Sequence, residues 1–232
     1  GTVAVLGDAV YERGTAAEFA ACYSWRRFRG RTRAALGNHE YGTGNADAAI
    51  AYFRLPRRGY YSYELGSWHV VVLNGTCHEI GGCGAGSPEE QFLRNDLAAH
   101  PTTCTLVTLH KPRFSSGPVH GGADEVDALF RAFYDGGVDV VLGGDDHDYE
   151  RFAPQTPTGY LDLADGVSQF VVGTGGRLLY SFEDSIPQPN SEVRNDDAFG
   201  VLKLRLRDGS YDWEFLPEAG RTFTDFGSRP CH

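Results

Sequence analysis

The chain of 232 residues is 41% hydrophobic, 12% aromatic and 22% charged, which supplies a sizeable core and excludes the composition of a disordered polymer. Its 31 acidic against 21 basic residues leave a formal charge of −10, an acidic surface that repels polyphosphate backbones and excludes nonspecific nucleic-acid binding. No run approaches the ~18–20 apolar residues of a bilayer span, so no membrane partner is expected, and one domain over residues 1–232 is the default reading.

The first apolar run, Val3–Leu6, ends in a Gly-Asp turn and reads as a strand covered on both faces. Such a strand ordinarily has a neighbour earlier in the chain, which predicts residues ahead of Gly1. Helical and extended segments then alternate: a helix near Thr15–Trp25, a strand entering Gly37-Asn38, a helix near Ala46–Phe53, and strands at Tyr60–Leu65 and Trp68–Leu73. Ser87-Pro88-Glu89-Glu90 combines an N-cap, a proline at the first helical position and a capping-box glutamate, predicting a helix to Ala99. Strands Thr103–Leu109 and Val138–Leu142 flank a helix at Asp124–Tyr134, a βαβ unit. Beyond residue 165 the strands Ser168–Val172, Val201–Leu206 and Tyr211–Phe215 read as antiparallel, and Glu183–Asp197, with two prolines and no apolar period, reads as a surface loop. The class is α/β.

Cys22, Cys77, Cys83, Cys104 and Cys231 form no CxxC pair and suit disulfides better than a zinc knuckle, which points to a secreted or extracytoplasmic protein. Cys77 and Cys83 are expected to close a short loop, and the odd count leaves a free thiol or an absent partner.

Four polar clusters each follow a strand-like run: Gly7-Asp8 with Tyr11, Gly37-Asn38-His39-Glu40, His110, and Gly144-Asp145-Asp146-His147. Ligands of α/β sheets gather beyond the carboxyl ends of strands, so these clusters can share one site although distant in sequence. Their mixture of oxygen and imidazole donors suits two borderline ions bridged by a carboxylate, and suits neither a Cys-rich zinc site nor an all-oxygen calcium site. His69, His78, His100, His120 and His232 are expected on the surface, with His120 able to line a pocket from its Gly-rich loop. Tyr149, Glu150 and Arg151 read as a brace for the preceding loop, and Gly173-Thr174-Gly175-Gly176 as a strand-end turn.

These clusters resemble the motifs of the calcineurin-like metallophosphoesterases, and within them the purple acid phosphatase branch. GDAVY is similar to GDxxY, GNHE to GNH[DE], VTLH to VxxH and GDDHDYER to GHxHxYER, in the family's order. The resemblance runs from Leu6 to about Val172, with a likeness to bacterial secreted members continuing to Cys231-His232. It implies a four-layer α/β/β/α sandwich of two mixed sheets and hydrolysis of small phosphomonoesters or related phosphoesters by a hydroxide held on two metal ions. Iron paired with zinc, manganese or a second iron is the implied cofactor. Carried over by position, Asp8 bridges the metals, Tyr11 and His147 ligate the first, and Asn38 and His110 ligate the second. His39 stands beside the metals to bind the phosphoryl group or protonate the leaving alkoxide, so Asp8 and His39 are the catalytic candidates.

The chain departs from the family twice. Asp145 stands where the family has a histidine ligand, and a carboxylate there favours magnesium or manganese or weakens the site. The family's DxG motif is absent from this stretch, so the first metal lacks an aspartate unless residues ahead of Gly1 supply it; the odd cysteine favours such residues. These departures prompt the alternative of a degenerate member serving as a secreted binding or structural module. Substrate identity and oligomeric state are not legible in the residues.

Overall fold

The computed structural model describes all 232 residues. Val3–Leu6 forms β1 and pairs in parallel with β2, Thr32–Ala35, with Val5 opposite Ala34. Between them lies α1, Ala16–Cys22, opened by a complete capping box: Thr15 Oγ1 accepts the Glu18 N–H, and the Glu18 carboxylate accepts the Thr15 N–H. This helix stops short of the expected Trp25, because Tyr23 leaves the helical conformation and packs into an aromatic group with Phe19, Tyr52 and Phe53. Helix α2, Asp47–Phe53, supplies the last two of these rings.

The hairpin β3 (Tyr61–Leu65) and β4 (Trp68–Val72) leads to α3, Pro88–Ala99, whose N-cap Ser87 accepts the Glu90 N–H. Strand β5 (Cys104–Thr108), helix α4 (Asp127–Asp135) and β6 (Val140–Gly143) complete the βαβ unit, with β5 and β6 parallel and adjacent. Two further strands, β7 (Tyr149–Gln155) and β8 (Val167–Val172), are followed by β9 (Ser191–Asn195) and the meander β10 (Gly200–Arg207), β11 (Ser210–Pro217) and β12 (Phe226–Pro230).

The main sheet has seven strands in the order β3-β4-β5-β6-β8-β7-β9. Its centre is parallel and its margins antiparallel, and Val71, Val107 and Val141 stand in one register across β4, β5 and β6. On one face, Leu93 of α3 and Leu129, Phe130 and Phe133 of α4 bury against those valines and Phe152. On the other, Trp68, Val70, Leu106, Val140, Leu142, Tyr149 and Phe170 meet Tyr211, Trp213 and Phe215 of the meander. A third cluster, Val10, Phe19, Tyr23, Leu36 and Ala49, lies under α1 and α2. The layers are therefore α/β/β/α, with the second sheet layer made of two separately bonded pieces, β1-β2 and β10-β11-β12.

Three sequence readings are corrected. Glu183–Asp197 is not all loop: β9 lies within it, a short polar edge strand whose order comes from pairing with β7. Residues 168–172 are not purely antiparallel, since β8 runs parallel to β6 and antiparallel to β7. His69 is not on the surface; it is buried on β4 between Glu64 and Asp96. Disulfides join Cys77 to Cys83, as the spacing predicts, and Cys104 to Cys231, which fastens the last residues to β5; Cys22 is free and exposed.

Candidate metal centre

The four polar clusters are the loops leaving β1, β2, β5 and β6 at the same end of the layers, and backbone contacts draw them together. Gly144 N–H donates to the His110 carbonyl at 2.7 Å. Gly7 has φ +87°, and a Cβ there would lie 2.5 Å from His110 Nδ1. A Cβ on Gly37 would lie 2.3 Å from Asp8 Oδ1. These two glycines are the clearance that lets Asp8, Asn38 and His110 approach one another. Asp8 (φ 51°) and Asp145 (φ 66°) themselves hold left-handed conformations, which turn their carboxylates inward.

His110 is the hub. Its Nδ1 donates to the Leu6 carbonyl at 2.7 Å, so in the neutral ring Nε2 is a lone pair. That nitrogen faces three oxygens: Asn38 Oδ1 at 3.1 Å, Asp145 Oδ1 at 3.2 Å and Asp8 Oδ2 at 3.4 Å. His147 repeats the pattern: Nδ1 donates to the Leu178 carbonyl at 2.8 Å, and Nε2 lies 3.4 Å from the Tyr11 hydroxyl. That hydroxyl is also 3.4 Å from Asp8 Oδ2, so Asp8 stands between the two groups. Of the residues singled out in the sequence, Asp8, Tyr11, Asn38, His110, Asp145 and His147 meet here, and His39 flanks them with Nε2 at 4.0 Å from Asp8 Oδ2.

The electrostatics follow from acceptors crowded together. Burial alone would raise the Asp8 carboxyl, but the His110 charge, with hydrogen bonds from His110 and the His39 N–H, holds it below its usual value. Burial likewise opposes the Asp145 carboxyl's charge, and His110 again outweighs it. His110 is disfavoured as a cation by burial yet raised well above an ordinary imidazole by Asp8 and Asp145. Burial, then the charges of Asp8 and Glu40, pushes the Tyr11 phenol up, and burial pushes His147 down.

A lone pair facing carboxylate and amide oxygens needs a cation between them. A proton on His110 fills that need in one place, and metal ions would fill it at both. The donor set of two carboxylates, a phenol, an amide oxygen and two imidazoles, each imidazole aimed by a carbonyl behind it, fits a pair of borderline or hard ions.

Several contributors were not read from sequence as site residues. Glu40, fully buried, accepts the N–H groups of Asp8, Ala9 and Gly37, each at 2.8 Å, and so fixes the Asp8 turn against the Asn38 loop. Its pKa rises to about 7, through burial first and the Asp8 charge second. Asp146, buried between Asp145 and His147, accepts from Ser115 Oγ and the N–H groups of His120 and Gly121, shaping that glycine-rich loop. Arg177 lies over the Tyr11 ring at 4.7 Å and pairs with Glu12, while Tyr180 stacks on His147 at 4.3 Å. No local signal marks the Arg177 and Tyr180 loop, which reaches the centre only through the fold.

His120 is exposed, as expected, with its ring 5.8 Å from Tyr180 and 6.4 Å from His147, on the rim. The Tyr149–Arg151 segment makes hydrogen bonds and an ion pair, but not to the loop before it as read: Tyr149 and Arg151 both donate to Asp225, each at 2.7 Å, and Glu150 accepts from Ser116 and Ser191, which ties β7 to the residues ahead of β12, to the 115–117 loop and to β9. Asp148 is different. It is buried with neither carboxylate oxygen partnered, and burial followed by the charges of Asp146 and Glu150 raises it to about 9.

The sequence is 32% identical over 160 residues to purple acid phosphatase 22 of Arabidopsis thaliana, covering 65% of this chain and 35% of that protein. It is 34% identical over 161 residues to purple acid phosphatase 21 of the same plant, covering 64% and 34%. The chain thus spans about a third of the length of these curated relatives. The fold matches purple acid phosphatase PPD1 from yellow lupin seeds with a TM-score of 0.75 at 20% identity, over 90% of this chain and 44% of that one. Residues 2–149 match the family described as calcineurin-like phosphoesterase, and the chain belongs to that family.

Proposed function

We propose that this phosphoesterase-family chain hydrolyses phosphomonoesters at the Asp8 centre, with two metal ions as cofactor. Asp8, Tyr11 and His147 are proposed to hold one ion, and Asp8, Asn38, His110 and Asp145 the other. The observation that carries the reading is His110 Nε2 facing the oxygens of Asn38, Asp145 and Asp8 within 3.4 Å, with its Nδ1 proton already given to Leu6. Asp145 reaches the centre although it replaces the family's histidine, which supports a working site over a degenerate one. Iron paired with zinc, manganese or a second iron suits the donors, and the Tyr11 phenol favours ferric iron in the first position. When bound, the ions offset charge on the phosphoryl oxygens and lower the pKa of water.

The chain's own residues do the rest. The Leu6 and Leu178 carbonyls keep the Nε2 lone pairs of His110 and His147 aimed inward. Glu40 keeps the Asp8 turn rigid, so the carboxylate is placed before substrate arrives. His39 Nδ1 donates to the Glu12 carbonyl, which directs Nε2 across the centre; protonated there, it delivers a proton to the departing alkoxide. Arg177, positive and partly exposed above Tyr11, draws the phosphate dianion to the rim. The two disulfides support an oxidising, extracytoplasmic setting.

Hydrolysis of an aryl phosphate by the purified protein loaded with iron, zinc or manganese tests the reading. Turnover that is lost in Asp8→Ala supports it, whereas equal turnover by Asp8→Ala and the parent overturns it.

A further inference from the structure

Charge is spread unevenly along the chain. Between Phe19 and Tyr63 there are eight arginines and two acidic residues, Glu40 and Asp47, a local charge of +6 where the whole chain totals −10. Five of these arginines fall in Trp25-Arg26-Arg27-Phe28-Arg29-Gly30-Arg31-Thr32-Arg33, whose residues Arg26–Arg31 form a short 3₁₀ turn ahead of β2. Arg29 Nε donates to the Tyr52 carbonyl at 2.6 Å and Arg31 Nη1 to the Gly1 carbonyl at 2.9 Å, which fastens the turn to α2 and to the start of β1. Arg54, the C-cap of α2 two residues beyond Tyr52, joins the cluster. Arg26, Arg27, Arg29, Arg31 and Arg54 are all exposed. Elsewhere the cations are neutralised: Lys111, Arg131, Arg151, Lys203 and Arg207 each have a carboxylate oxygen within 2.7 Å. The eight arginines have no carboxylate within 4.0 Å and rest instead on carbonyls and rings, with Arg27 and Arg31 over Phe28 at 4.6 and 4.5 Å and Arg29 over Tyr52 at 4.6 Å.

We propose that this arginine face docks on an anionic phospholipid surface. Guanidinium groups crowded together without counter-charges repel one another, and phosphodiester headgroups supply the missing charge, each able to accept two N–H bonds from one arginine. Arginines kept for solubility alone are interspersed with acidic residues, as the cations of the rest of this chain are. Trp25, at the head of the turn, is 38% exposed, against 1% for Trp68 and 7% for Trp213, and its ring lies 5.6 Å from Phe28. An exposed indole beside guanidinium groups suits the boundary between headgroups and acyl chains, an apolar layer that a soluble sulfated or phosphorylated polymer lacks. The acidic remainder of the surface is repelled by the same bilayer, so the charge distribution fixes the orientation of approach. The contact is peripheral and needs no membrane-spanning helix, of which the fold has none. It also leaves the Asp8 centre open: the turn lies where β1 and β2 begin, the metal loops lie where they end, and four strand residues separate the two by ~13 Å. Docking is therefore independent of the chemistry at Asp8.

The test sediments the chain with vesicles of phosphatidylcholine alone and of phosphatidylcholine mixed with phosphatidylglycerol, beside a triple variant, Arg26→Gln with Arg27→Gln and Arg54→Gln. These three side chains are exposed and donate no hydrogen bond within the protein, so the variant keeps the fold, which circular dichroism checks. The parent should bind the mixed vesicles and not the neutral ones. Binding should weaken by roughly tenfold or more in the variant, given about fivefold per arginine at an anionic surface. Tryptophan emission should shift to the blue on binding, and since Trp68 and Trp213 are already buried the shift reports Trp25. Equal binding to both vesicle types, equal binding by parent and variant, or no binding at all overturns the proposal. Capture of the parent by soluble dextran sulfate without binding to vesicles also overturns it and assigns the arginines to a polyanionic polymer.

Discussion

His39 and Asp148 lie close to the same centre and should respond in opposite ways to replacement. His39 is partly exposed, its Nε2 faces Asp8, and it accepts nothing from the core. His39→Ala should lower kcat by about 10²–10⁴-fold, the range for a lost general acid, with metal content and Tm unchanged. Asp148 offers two buried oxygens with no donor. Asp148→Ala should therefore stabilise the fold by about 1–3 kcal/mol, the desolvation penalty of an unsatisfied group, read as a higher midpoint in urea. A lower midpoint would mean that Asp148 has a partner. The central residues Asp8, Asn38, His110 and Asp145 were legible because each directly follows an apolar run, where strand ends must present polar groups. Glu40 was quoted in its motif, but its three backbone donors come from folding, and nothing in the motif announces them.

At the scale of elements, α3 carries its own pH response. Glu89, in its first turn, is buried and accepts the Asn74 N–H, and burial raises it to about 8 from an ordinary glutamate value of 4.5. Between those values the folded chain keeps a proton that the unfolded chain has released, so stability falls as pH rises through that window; above it both states are ionised and the loss is complete. Tm of the parent should fall more between pH 5 and pH 8.5 than Tm of Glu89→Gln, and parallel curves would contradict the assignment. The helix itself was readable, since Ser87 and Pro88 act locally. Strands β7 and β9 were not. The first opens with Tyr-Glu-Arg and carries Pro154 within a register irregularity, and the second is polar apart from Val193; each is a strand because of its neighbours. His69 failed for the same reason, since the two carboxylates that bury it lie five and 27 residues away.

Across the whole molecule, the covalent link from Cys104 to Cys231 closes a separation of 127 residues and holds the meander end to the main sheet. Replacing both cysteines by serine should cost up to roughly 4–5 kcal/mol on the chain-entropy scale, seen as a lower denaturation midpoint, while a Cys77 and Cys83 pair of serines should cost less because its loop is short. The α/β class was legible from alternating segments, but the division of the second sheet layer into a parallel pair and an antiparallel meander depends on which distant strands meet. The proposed hydrolysis rests on cations shared around Asp8. Anomalous diffraction from crystals grown with manganese or iron tests this directly: it should show two peaks ~3.5–4 Å apart, one against Tyr11 and His147 and the other against Asn38, His110 and Asp145. Crystals that diffract well and show no anomalous peak at Asp8 would contradict it.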